Sequence, residues 1–121
     1  MKTQTSGIEE LIGEVNAFCE ARDWDQFHNI KDLAIGVATE GAELLELFRF
    51  RSLGECDALV RDPVKRESLE DELADVFFFL LRIAGRYDID LPGALRAKMK
   101  KNAAKYPVEK ARGSNRKYNE F

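Results

Sequence analysis

Two acidic pairs, Glu40 with Glu43 and Glu72 with Asp75, sit inside the apolar stripes of two helix-patterned segments, a placement that few folds tolerate. Residues three apart share one helix face, with Cβ atoms about 5–6 Å apart. Glu40 follows Val37 by three residues and precedes Leu44 by four, and Glu72 stands in the same relation to Leu69 and Val76. Each helix therefore aims its acids where its apolar stripe is buried. Packed helices lie about 8–10 Å apart, so two of them face to face bring four carboxylates towards one point. Acid pairs at this spacing also occur on solvated faces, and the pattern alone leaves both arrangements open.

Helical periodicity extends over most of the chain. Ile8, Leu11, Ile12, Val15 and Phe18 recur at three- and four-residue steps. They follow Ser6-Gly7-Ile8-Glu9, a capping-box pattern in which serine and glutamate satisfy free backbone N–H groups. A turn-like stretch, 22–29, holds Trp24, Phe27 and His28. A second helix is predicted from Asn29 as N-cap to about Leu53, ended by Gly54, on the apolar set Leu33, Val37, Leu44, Leu45, Leu47 and Phe48. A third opens at Asp62-Pro63, where the missing N–H of proline does no harm, and runs to about Tyr87. Its residues 76–81 are apolar on every side, which predicts a central helix or one at a subunit interface. A fourth starts at Asp90-Leu91-Pro92, carries Leu95 and Met99 to the core and stops at Pro107. No segment alternates cleanly with period two. The expectation is an all-α bundle of four main helices over residues 1–107, with 108–121 as an extended basic C-terminal tail.

Composition narrows the setting. At 121 residues, 45% apolar and 34% charged, the chain has the size and balance of one soluble globular domain. Its longest apolar run is 76–81 and its N-terminus is polar, so neither a membrane span nor a secretory leader is expected. Two cysteines and one histidine exclude a disulfide framework and a histidine-rich zinc site. A cytoplasmic location follows as the expectation. The net charge of −3 conceals an asymmetry: residues 1–90 hold ten basic and twenty acidic side chains, whereas 91–121 hold nine basic and two acidic. That polarity fits a tail that grips nucleic acid. It equally fits a carboxylate metal site with cationic side chains for an anionic ligand.

Four converging carboxylates are unstable alone, because burial is costly and like charges that close cannot all stay ionised. A divalent cation resolves the conflict. Every donor is oxygen and no Glu-x-x-His step is present, so magnesium, or manganese in its place, is the fitting metal. Magnesium is commonly completed by substrate phosphates, and it neutralises a triphosphate while a water attacks in line.

The ordered set Glu40-x-x-Glu43, a 28-residue interval, then Glu72-x-x-Asp75 resembles the signature of the MazG-like all-α nucleotide pyrophosphohydrolases. Residues 22–28 (Arg-Asp-Trp-Asp-Gln-Phe-His) and 46–50 (Glu-Leu-Phe-Arg-Phe) are similar to the single-domain branch that includes the dCTP pyrophosphatases. The likeness continues through Asp90-Leu91-Pro92, Lys98-Met99, Asn102 and Lys105-Tyr106-Pro107, and so covers about residues 8–107. The resemblance implies hydrolysis of a nucleoside triphosphate to monophosphate and pyrophosphate, with Glu40, Glu43, Glu72 and Asp75 as magnesium ligands. It also implies a dimer or dimer of dimers with the pocket shared between subunits. Tryptophan often stands in the family where this chain has Phe50, and tyrosine often stands where it has Phe79 in members known for cytosine nucleotides. Phenylalanine keeps the aromatic face at both positions and loses the polar atom.

Other side chains admit two readings each. Trp24 is a core anchor or a wall of the nucleobase pocket. His28 is a capping histidine or, as the resemblance favours, a pocket residue. Lys31 holds a phosphate or is solvated. Lys98, Asn102 and Lys105 make one polar stripe; the resemblance favours Lys98 and Asn102 reaching phosphate oxygens, with Tyr106 beside them. The competing function is a nucleic-acid-binding or adaptor bundle working through its basic tail, although no helix-turn-helix or aromatic RNA-binding motif accompanies the charge. A related phosphohydrolase acting on dUTP or phosphoribosyl-ATP is a third reading.

Overall fold

The computed structural model describes residues 7–121, which form six α-helices and no strand. They run as α1 (Ile8–Ala21), α2 (Ile30–Glu46), α3 (Leu53–Arg61), α4 (Pro63–Tyr87), α5 (Leu91–Lys105) and α6 (Val108–Ala111), with short 3₁₀ turns at Asp25–Phe27 and Tyr118–Glu120. Among the described residues, no helix is long and apolar enough to cross a membrane. The chain divides into two compact units, Met1–Asp88 and Ile89–Phe121.

In the first unit α4 is central and packs against α1, α2 and α3. The all-round apolar stretch of residues 76–81 places it there: Leu81 is buried, Val76, Phe78 and Phe79 are half-buried, and Phe77 and Leu80 remain exposed. The core is small. Cys19, Leu33, Leu59, Leu81 and Ala84 are its fully buried apolar side chains, and Arg82 is buried among them.

Local chemistry sets the helix ends. Asn29 caps α2 by accepting from Asp32 N at 2.9 Å. Asp62 caps α4 with Pro63 in the first turn. For α1, Ser6 of the expected capping box lies outside the described residues; the helix follows Gly7, which is extended and makes no side-chain cap bond.

The second helix is shorter than its periodicity predicts. α2 ends at Glu46, and residues 47–50 turn instead, with Phe50 in the left-handed region at φ 64°. A separate helix, α3, then opens on a capping box. The Ser52 hydroxyl accepts from Glu55 N at 3.1 Å, and the Glu55 carboxylate accepts from Ser52 N at 2.9 Å. Reciprocal capping starts a new helix where the apolar pattern alone would continue the old one. Gly54 belongs to that new helix and ends nothing.

In the second unit, Asp90 caps α5 by accepting from Gly93 N at 3.1 Å. Residues 108–121, expected as an extended tail, carry α6 and the second 3₁₀ turn. Tyr106 meets the rings of Tyr118 and Phe121 edge-on at 6.0 and 5.8 Å, and Lys105 lies over the Tyr118 ring at 4.7 Å. These ring contacts hold the segment against the end of its own helix.

Candidate active site

Glu40 and Glu43 sit on consecutive turns of α2, and Glu72 and Asp75 do the same on α4. One ligand oxygen from each of the four lies within 4.8 Å of all the others. Glu40 and Glu72 are half-buried, whereas Glu43 and Asp75 are exposed, so the cluster has an inner and an outer half. One oxygen of each inner acid, Oε2 of Glu40 and Oε2 of Glu72, is buried without a hydrogen-bond partner. Burial pushes both carboxyls above their usual range, and the neighbouring acids push in the same direction. Two stranded, crowded oxygens are what a hard divalent cation satisfies, and an all-oxygen donor set suits magnesium chemistry.

The close approach of the two helices has an identifiable cause. A Cβ built on Gly36 would fall 2.4 Å from Cε1 of Phe79. Gly36 is one turn before Glu40 on α2, and Phe79 is one turn after Asp75 on α4. The missing side chain lets the Phe79 ring seat against the α2 backbone. Phe79 is thus a packing residue of the helix seam, half-buried and edge-on to Phe78 at 5.5 Å.

A second group forms at the α1–α2 connection, where the Trp24 and His28 rings stand 6.0 Å apart. Arg82 of α4, which the sequence did not single out, ties this connection down. Its Nε donates to His28 Nδ1 at 2.9 Å, Nη1 donates to Asn16 Oδ1 at 2.7 Å, and Nη2 pairs with Asp25. The available sequence signal was a charge placed between Leu81 and Ile83 in the most apolar part of the chain, where only a partnered guanidinium survives.

Lys31 is exposed in the first turn of α2. Phe50 is 91% exposed, with the Arg49 guanidinium 4.5 Å from its ring centre. Glu46 is paired with Arg49 at 3.4 Å. Lys98, Asn102 and Tyr106 belong to the second unit, with Lys98 exposed and the other two half-buried.

The sequence profile of the MazG-like family matches residues 35–121, a span containing both acid pairs. The chain belongs to the MazG-like family. It is 41% identical over 104 residues to human dCTP pyrophosphatase 1 and 38% identical to the bovine protein of that name, matches that take in 86% of this chain. The chain spans 61% of the length of the human relative and 62% of the bovine one. Among solved structures it is similar to a pyrophosphatase from Archaeoglobus fulgidus, with a TM-score of 0.78 and 33% identity over 88% of this chain and 98% of that one. For a MazG-like protein, the acid-lined seam between α2 and α4 is the natural candidate site.

Proposed function

We propose that this chain is a magnesium-dependent nucleoside triphosphate pyrophosphohydrolase that converts a dCTP-like (deoxy)nucleoside triphosphate to monophosphate and pyrophosphate, clearing the nucleotide pool. The observation that carries the reading is the four-carboxylate cluster with its two unpartnered buried oxygens. Membership of the family and the names of its relatives support the same chemistry, and favour it over a nucleic-acid-binding bundle.

Glu40, Glu43, Glu72 and Asp75 would hold magnesium, or manganese, which when bound neutralises triphosphate charge and activates water. In the reaction a water oxygen adds to the α-phosphorus as the α–β bridging bond breaks. Pyrophosphate departs with the bridging oxygen, and a carboxylate of the cluster takes the proton of the water. Lys98 and Asn102 would bind phosphate oxygens with Tyr106 beside them, and Lys31 would add charge. Trp24, His28, Phe50 and Phe79 would surround the base. Residues 1–107 form the catalytic domain in this reading, with 108–121 as its basic extension, working in the cytoplasm without a membrane or nucleic-acid partner.

The exposed Phe77 and Leu80 on the central helix support a homodimer or dimer of dimers, since apolar side chains grouped on a surface mark interfaces. Light scattering should report more than one 13.8 kDa chain per particle, and a monomer at micromolar concentration contradicts that part. The activity is tested by incubating the protein with the eight common (d)NTPs and magnesium. Pyrophosphate and monophosphate should appear together. Orthophosphate with accumulating diphosphate would overturn the reading.

A further inference from the structure

Arg82 is only 1% exposed, the one buried charged side chain among the described residues, and the proposed reaction makes no use of it. Desolvating a guanidinium is expensive and is offset only when its donors are well placed. Here they are, on partners from three parts of the chain: Asn16 of α1, Asp25 of the 3₁₀ turn and His28 before α2. The approach of α1 is itself built in. A Cβ on Gly85 would lie 2.7 Å from the Asn16 amide and 2.8 Å from Ile12 Cγ2, so the bare glycine leaves room for Asn16 where it meets the guanidinium.

The chemistry of the pair fixes a proton. Arginine has donors only and does not deprotonate, so the His28 nitrogen that takes its hydrogen bond carries no hydrogen of its own. Nδ1 is that nitrogen. The single N–H of the neutral ring therefore sits on Nε2, and no described residue accepts from it. Arg86 Nε donates to the His28 carbonyl at 3.3 Å, which holds the backbone as well as the ring. The charged groups around the imidazole are Arg82 and Arg86 of α4 and Asp25 of the 3₁₀ turn. Burial first, then the two guanidiniums, hold His28 below its ordinary value of 6.5 against the opposing pull of Asp25, so the ring stays neutral at physiological pH.

We infer that Arg82 is a positioning residue: it locks His28 as the Nε2–H tautomer, a fixed neutral donor beside the Trp24 ring for a hydrogen-bond acceptor on the nucleobase. A neutral donor reads a carbonyl oxygen or an unprotonated ring nitrogen and gives no general affinity for phosphate. Asp75 and Arg82 lie seven residues apart on α4, two turns along one face and about 10 Å of rise. One helix thus carries both an acid of the cluster and the guanidinium that sets the donor. The inference rests on the nucleotide-hydrolase reading above, and its test separates the two.

His28 is the single histidine of the chain, so a ¹⁵N-labelled sample of the intact protein gives one imidazole spectrum. The wild-type ring should show an unprotonated Nδ1 and a protonated Nε2 between pH 7.5 and 8.5. Arg82→Lys should mix the tautomers and raise KM more than it lowers kcat. His28→Asn offers a variant that keeps the fold, because its Oδ1 still accepts from Arg82 while its shorter amide has no N–H where Nε2 stood. It should raise KM for the preferred triphosphate about five- to tenfold, the weight of one hydrogen bond. The inhibition constant of an abasic deoxyribose triphosphate should stay unchanged in the same variant. A wild-type ring that carries its hydrogen on Nδ1 overturns the inference, as does a His28→Asn enzyme with unaltered KM or with equally weakened abasic binding. Wild-type protein that hydrolyses no triphosphate overturns the hydrolase reading instead, whatever the ring spectrum shows.

Discussion

Phe79 occupies the space that a side chain on Gly36 would need, with ring carbons 2.4 to 2.7 Å from the position of that missing Cβ. The contact lies one helical turn from Glu40 on one side and one turn from Asp75 on the other, so it sets how closely the two acid pairs approach. Gly36→Ala should raise intrinsic helix propensity by about 1 kcal/mol and still destabilise, because overpacking a seam costs about 1–3 kcal/mol. Its melting temperature should fall and its activity fall further, as α2 and α4 are pushed apart. Adding Phe79→Leu to that variant should restore part of the lost stability, because it removes the ring carbons that the new methyl group meets. A fully active, equally stable Gly36→Ala protein would mean that the seam does not govern the cluster.

Removing one charge from the cluster should separate metal binding from folding. Glu43→Gln changes little volume, so its circular dichroism should match the wild type while turnover with magnesium is lost. Magnesium at a hundred times its dissociation constant stabilises a single-site protein by about 2.7 kcal/mol. A thermal scan should show that gain in the wild type and not in the variant. Full activity of Glu43→Gln, or of wild type in excess chelator, would dismiss the metal assignment.

The depressed pKa of His28 gives acid sensitivity a sign. Its folded value lies below 6.5, so between those two values the unfolded chain binds more protons than the folded one. The stability contributed by the neutral ring is complete above pH 6.5 and is lost as pH falls through the folded value. Urea unfolding at pH 7.5 and 5.5 should show a larger loss for wild type than for His28→Asn. Parallel losses in the two proteins would place the acid sensitivity elsewhere.

Truncation after Pro107 removes Tyr118 and Phe121, the ring partners of Tyr106. If the C-terminal segment helps bind triphosphate, KM rises in the truncated protein. An unchanged KM shows that the segment serves packing alone.

The acid pairs were legible because an i,i+3 pair inside an apolar stripe is a local signal, written within eight residues of sequence. Asn29 and Asp62 were legible as caps for the same reason. α3 escaped because Leu47 and Phe48 prolong the apolar rhythm of α2, although Ser52-x-x-Glu55 carried the correct start signal. Arg82 could not be read from spacing: its partners lie 54, 57 and 66 residues away, and only the folded chain brings them together. The same holds for Gly36, whose importance comes from a ring on another helix.

Phe50 sets a trade between durability and chemistry. A bulky residue at φ 64° stores strain of about 1–3 kcal/mol that glycine would not, and at 91% exposure its ring recovers almost none of it by packing within the chain. Phe50→Gly is therefore the substitution a protein engineer would try first for a hardier scaffold. If the ring stacks on a base, that sturdier protein will be the poorer enzyme.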